Sequence, residues 1–275
     1  MADPRTLYVT DLDGTLMRND QTLSEYTLRT LTRLIDEGFN ITYATARSFT
    51  SAHEITKDLK INIPVITRNG TTFADQIKNE ETEISRFTPE QLEKLKSLLK
   101  GLIDTRGFVS AYFGKEMKKT YLFGDLCEGL EKYVSYYKND KRMVGVNDYD
   151  DLFKGIVTYI TIIDERDILE PYYENIRDAG DWETVFSKDT YADEYWLEIC
   201  PTNATKAKAV LKLKESLGLD RLVVFGDSVN DLSMFAVADE ACAVSNAIDE
   251  LKKAATKIIL TNEEDGVAKF IEEDK

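Results

Sequence analysis

Strand and helix patterns alternate at both ends of this chain, and the alternation breaks off in the middle. "LYVT" at 7–10 is a short β-branched and aromatic run. A helical pattern follows near Ser24–Glu37, with Leu28, Leu31, Leu34 and Ile35 on one face and Gly38 as its stop. "NITYA" is the next strand, then a helix over roughly Ser48–Leu59, then "PVIT" at 64–67. Towards the other end the pattern resumes with "YWLEI", a helix over Thr205–Leu217, "LVVF" and a helix after Asn230. "ACAV", a helix near Asp249–Ala255, "KIIL" and a last helix from Gly266 complete it. Such βαβα order requires parallel strands covered by helices on both faces. The expected class is α/β, with a doubly wound, Rossmann-like parallel sheet.

The middle reads differently. "FTPEQLEKLKSLLKG" is a signalled helix, with Thr88 as N-cap, Pro89 at the first position, Gln91 three residues after the cap and Gly101 beyond the end. "GFVSAYF" and "KTYLF", joined by "GKEMK", read as a hairpin. A helix near Leu126–Tyr137, the strand "GIVTYITII", the helix "ERDILEPYYENIRDAG" and the strand "TVFS" follow. Two halves of one parallel sheet separated in this way predict a domain inserted into a domain. The expected α+β insert is 84–190, between core segments 1–83 and 191–275.

Bulk composition narrows the chemistry. The 35 basic and 50 acidic residues give a net charge of −15, which argues against nucleic acid or an anionic membrane as partner. No apolar run reaches the ~20 residues of a membrane span, and "MADPRTLYVT" lacks a signal-peptide plan. Cys127, Cys200 and Cys242 are odd in number and follow no metal-like spacing, so reduced thiols and a cytoplasmic location are expected. No obligate protein partner is evident. His53, the only histidine, reads as a satisfied surface or half-buried helix residue and not as a catalyst.

In open parallel sheets, ligands bind outside the carboxyl ends of the strands. Directly after "LYVT" come Asp11 and Asp13, and after "NITYA" come Thr45 and Arg47. After "PVIT" come Arg68, Asn69 and Gly70, and after "LVVF" comes Gly226-Asp227-Ser228-Val229-Asn230-Asp231. Lys206, at the start of a helix, reaches the same edge. Asp11, Asp13, Asp227 and Asp231 are expected to form a carboxylate cluster that needs compensation. Hard oxygen ligands without histidine or thiol suit Mg²⁺ rather than zinc. Thr45, Arg47, Asn69, Asn230 and Lys206 are donors suited to phosphoryl oxygens. By itself "DLDGT" is also what a turn uses, Thr45 is also a helix cap, and Lys206 is also one of a row of helix lysines. A turn after one strand does not account for "GDSVND" after another.

These residues resemble the haloacid dehalogenase superfamily of phosphotransferases. "DLDGT" at 11–15, a threonine closing the second strand, a lysine before a helix and "GDSVND" at 226–231 are similar to its four motifs, in order. "RNGTTF", the insert between the second and third motifs, "SNA" at 245–247 and "EDGVAKFI" at 264–271 are similar to its Cof-type branch. Ala46 and Ala207 stand where that branch often has glycine. The resemblance implies Asp11 as a nucleophile that forms an aspartyl phosphate, and Asp13 as acid in one step and base in the next. It implies Mg²⁺ held by Asp11, Asp227 and the Asp13 carbonyl, with Asp231 ligating or supporting. Thr45, Lys206 and Asn230 would contact the phosphoryl group; Arg47, Asn69 and Gly70 are expected to bind substrate from their place after the strand ends. The implied function is Mg²⁺-dependent hydrolysis of small phosphorylated metabolites, sugar phosphates foremost, beneath a closing cap. A phosphomutase of the phosphomannomutase type and a catalytically idle binding module are the alternatives.

Overall fold

The structure, a computed structural model, describes residues 5–190 and 192–274. Residues 1–4 of "MADPRTLYVT", residue 191 at the expected core boundary and residue 275 lie outside the described residues. The chain forms two compact units, one of the residues up to Ile84 with those from Ala204 on, the other Ser85–Asn203.

In chain order the first segment contains β1 (Thr6–Thr10), α1 (Glu25–Asp36), β2 (Asn40–Tyr43), α2 (Phe49–Thr56), β3 (Val65–Thr67), β4 (Thr72–Asp75) and β5 (Glu80–Ile84). The second unit contains α3 (Pro89–Leu99), α4 (Ile103–Arg106), β6 (Gly107–Phe113), β7 (Glu116–Leu122), α5 (Glu128–Tyr136) and β8 (Met143–Val146). It continues with β9 (Ile156–Asp164), α6 (Arg166–Arg177), β10 (Trp182–Lys188) and β11 (Tyr195–Pro201). The last segment holds α7 (Lys206–Ser216), β12 (Arg221–Gly226), α8 (Leu232–Phe235), β13 (Glu240–Val244), α9 (Asp249–Ala254), β14 (Lys257–Ile259) and α10 (Gly266–Glu273).

The first unit is built on a five-stranded parallel sheet in the order β14-β13-β12-β1-β2. Every residue of β1 is buried, as a parallel strand with helices on both faces requires. Leu7, Val9, Val223 and Val224 are fully buried. Burying each such side chain contributes about 1.5–3 kcal/mol. α1 begins at Ser24, whose side chain accepts the Thr27 N–H, and buries Leu31, Leu34 and Ile35 against the sheet.

Two strands lie elsewhere than their sequence suggests. β3 was expected as a further parallel strand, but it pairs antiparallel with β4 in a small β3-β4-β5 sheet. Only a bridge between Ala44 and Ile66 keeps it parallel to the main sheet's edge. The reason is local: Arg68, Asn69 and Gly70 all have positive φ (48°, 51° and 99°), which turns the chain straight back. "YWLEI" was expected in the core, but β11 pairs with β10 on one side and β9 on the other. A strand with both neighbours in one sheet belongs to that sheet, so the second unit runs to Asn203 and not to residue 190.

The second unit is a six-stranded sheet in the order β10-β11-β9-β6-β7-β8. The hairpin over "GKEMK" pairs Phe108 with Tyr121 through Phe113 with Glu116 and turns at Gly114. α3 starts on the expected capping box of Thr88 and Gln91, with Pro89 in its first turn. Leu95, Leu99, Val109, Ile160, Ile162, Leu197 and Ile199 form its separate core. No helix among the described residues is long and apolar enough to cross a membrane.

Candidate active site

Because β1 and β12 are adjacent and parallel, whatever follows each of them is brought together. The Asp11 N–H donates to the Phe225 carbonyl at 2.9 Å, extending the ladder one residue beyond β1. Residues 12–16 then form a wide turn, closed by the Met17 N–H on the Leu12 carbonyl at 2.8 Å. Gly14 sits in it at φ 72°, and a Cβ there would lie 2.4 Å from Asp227 Oδ2. Only glycine meets both conditions. The Thr15 hydroxyl donates to Asp227 Oδ1 at 3.1 Å, so the two strand-end loops are tied to each other.

Asp231 is fully buried. Its Oδ2 accepts the N–H groups of Asp227 (3.0 Å) and Ser228 (3.2 Å). A Cβ on Gly226 would lie 2.6 Å from that carboxylate, so this glycine too is required by close approach. Asp231 Oδ1 faces Lys206, whose Nζ donates to it at 2.8 Å and to Asp11 Oδ1 at 2.6 Å. Lys206 is only 1% exposed. Its helix begins at Thr205, whose side chain accepts the Lys208 N–H. Gly70 presses against the same point: a Cβ there would meet the Thr205 carbonyl at 2.3 Å. The backward turn after β3 thus seats the helix that carries Lys206.

Electrostatics follow from this burial. Burial raises the Asp11 carboxyl to about 7, against the lowering effect of Lys206 and with Asp231 and Asp13 adding to the rise. Asp227 is held well above the ordinary carboxylate range by burial, then by Asp11 and Asp231. For Lys206, burial alone would favour the neutral amine, but Asp11 and Asp231 together hold its pKa above the ordinary lysine value. Oxygens of Asp11, Asp227 and Asp231 lie within 4.8 Å of one another. Fully ionised, three carboxylates and one ammonium would sum to −2, which a divalent cation would cancel, and an all-oxygen donor set suits a hard cation.

Asp13 does not join this group, which corrects the expectation of a four-carboxylate cluster. Its side chain turns to Arg47, which donates Nε to Oδ2 at 2.8 Å and Nη2 to Oδ1 at 2.6 Å. A two-pronged ion pair outweighs the approach of a fourth like charge. The Thr45 hydroxyl accepts the Arg47 N–H at 3.1 Å and is fully buried. Asn69 is buried, and its Oδ1 accepts from Asn230 Nδ2 at 3.3 Å. Two residues given no role from sequence steady the Asp11–Met17 turn. Asn246 Nδ2 donates to the Gly14 carbonyl at 2.7 Å, and Asn262 Nδ2 to the Met17 carbonyl at 2.9 Å. Asn262 N–H also donates to Asn246 Oδ1 at 3.1 Å, linking the pair. In the sequence Asn246 falls within "SNA", whereas Asn262 lies outside every motif.

Residues 8–271 match the haloacid dehalogenase-like hydrolase family. The chain is similar to two proteins of Bacillus subtilis (strain 168), both named 5-amino-6-(5-phospho-D-ribitylamino)uracil phosphatase. YwtE is 29% identical over 96% of this chain and 96% of its own. YitU is 27% identical over 97% of this chain and 96% of its own. It also resembles the crystal structure of a haloacid dehalogenase-like hydrolase from Bacteroides thetaiotaomicron, with a TM-score of 0.78 and 25% identity over 98% and 99% of the two chains. The chain belongs to the haloacid dehalogenase-like hydrolases and is a phosphatase of their Cof-type branch.

Proposed function

We propose that this protein hydrolyses phosphate monoesters of small metabolites in the cytoplasm, with Mg²⁺, through a phosphoryl group carried on Asp11. The observation behind this reading is the buried Asp11–Asp227–Asp231 group with Lys206 beside it, three carboxyl groups that a divalent cation would hold ionised. Asp11 and Asp227, with the Asp13 carbonyl and with Asp231 behind them, would hold the cation. When bound it supplies the positive charge that lets a phosphate dianion approach carboxylates.

The rest of the work belongs to the chain. Lys206 fixes Asp11 Oδ1, and the other carboxylate oxygen attacks phosphorus. As that bond forms, the ester P–O bond breaks and Asp13 protonates the departing oxygen. Asp13 then takes a proton from a water molecule whose oxygen attacks the phosphorus. The P–O bond to Asp11 breaks, leaving a free carboxylate and inorganic phosphate. Thr45, Asn69, Gly70 and Asn230 border the place where phosphoryl oxygens would sit. Both Bacillus relatives are named for a substrate with a phosphorylated ribityl chain. That favours sugar or sugar-alcohol phosphates as the class.

Hydrolysis of p-nitrophenyl phosphate is expected with Mg²⁺ and to fall about 10³-fold with EDTA, since such a cation contributes several kcal/mol to phosphoryl transfer. Full turnover in chelated protein would contradict the site. Stability supplies a second readout. Without the cation, folded Asp11 keeps its proton to about 7 whereas the unfolded residue loses it near 3.8, so stability falls as pH rises across that window. Added Mg²⁺ should remove most of this slope in thermal unfolding, and Asp11→Asn should lose the share that Asp11 contributes while Asp227 keeps its own.

A further inference from the structure

We infer that Arg47 is a positioning residue for Asp13 and not a ligand of the substrate phosphate. Its guanidinium is already committed. Nε and Nη2 grip the two oxygens of Asp13 at 2.8 and 2.6 Å. Nη2 also donates to Gln21 Oε1 at 2.9 Å, and Nη1 to Ser51 Oγ at 3.2 Å. Gln21 is held in place by its own loop, with φ 64° and its N–H on the Arg18 carbonyl at 2.9 Å. The backbone of Arg47 is fixed as firmly. Its N–H meets the Thr45 hydroxyl and its carbonyl accepts the Arg68 N–H at 3.0 Å.

Two points of the β1–α1 connection, Asp13 and Gln21, and Ser51 in the first turn of α2 therefore converge on one guanidinium, and that guanidinium sets the rotamer of Asp13. A planar fork matches a carboxylate in two places at once, which fixes direction as well as distance. Lysine offers a point charge and no such orientation. A proton donor misplaced by about 1 Å loses on the order of 10²-fold in rate, so the orientation matters most where the departing oxygen needs a proton.

The inference rests on the role proposed above for Asp13, and its test separates the two. Arg47→Lys is compared with wild type on p-nitrophenyl phosphate, whose leaving group needs little protonation, and on an alkyl phosphate, whose leaving group needs it fully. Both are measured as kcat/KM, which reports the steps through the first cleavage. The expected result is that kcat/KM for the alkyl phosphate falls at least about tenfold more than that for p-nitrophenyl phosphate. In an Asp13→Asn background the same substitution should leave that ratio unchanged. Equal falls with both substrates, together with weaker inhibition by inorganic phosphate, would make Arg47 a phosphate ligand and overturn the inference. A drop in thermal stability with no fall in either kcat/KM would reduce it to a structural pair and overturn it too. A wild-type protein inactive on every phosphate monoester would instead defeat the function proposed above.

Discussion

Asp11→Asn is expected to lose on the order of 10⁴-fold or more in kcat while the protein becomes no less stable, and more stable in cation-free buffer at neutral pH. The amide has nearly the same shape, so the 2.9 Å bond from residue 11 to Phe225 and the packing of β1 are kept. It cannot form an acyl phosphate with a phosphate ester, because the attacking oxygen now belongs to a neutral carboxamide. Stability moves the other way because Asp11 is a carboxylate that burial penalises. Replacing it with a neutral group removes that cost and leaves Lys206 paired to Asp231. Turnover of p-nitrophenyl phosphate and thermal unfolding, measured on the same preparation, check both halves. A variant that keeps turnover within tenfold of wild type would remove Asp11 from the chemistry.

Lys206→Met is expected to cost about 3–5 kcal/mol in stability and most of the activity. Methionine fills nearly the same volume, so the loss is one of charge and not of packing. Lys206 is the cation that both Asp11 Oδ1 and Asp231 Oδ1 touch, and all three side chains are buried. Without it Asp11, Asp227 and Asp231 face one another uncompensated. Mg²⁺ should return part of the lost stability, since it binds the folded cluster and not the unfolded chain. Urea unfolding with and without Mg²⁺ measures this. A variant as stable as wild type in EDTA would show that the ammonium does not hold the cluster together.

The carboxylate positions were legible because they depend on short-range facts. A buried run followed by an acidic residue marks a strand end, and the parallel order places those ends on one edge. Asp11, Asp227, Asp231 and Lys206 accordingly meet as the strand order requires. The sheet to which a strand belongs is a longer-range fact. β11 has the same apolar texture as a core strand, and only its pairing with β9 and β10 assigns it to the second unit. β3 was misplaced because three successive positive φ values are not written in the residue types: only Gly70 adopts them freely, while Arg68 and Asn69 are held there by tertiary contacts. The Asp13–Arg47 pair was hidden for a related reason. Both residues follow strand ends of the same sheet, but charge complementarity between two loops decided that they face each other. Asn246 and Asn262 act through amide bonds to backbone carbonyls, which leave no periodicity to read.

The central claim is that phosphoryl transfer passes through Asp11. Asp13→Asn provides the most direct measurement, because it should spare the first step for a good leaving group and slow the second by about 10²–10⁴-fold. The variant is mixed with p-nitrophenyl phosphate and Mg²⁺, quenched in acid within the first turnover and digested. The expected result is a burst of p-nitrophenol and one added phosphoryl group on the peptide that carries residue 11, absent when Asp11→Asn is added to the same variant. Turnover by Asp13→Asn at the wild-type steady rate with no phosphorylated residue 11 would contradict the account.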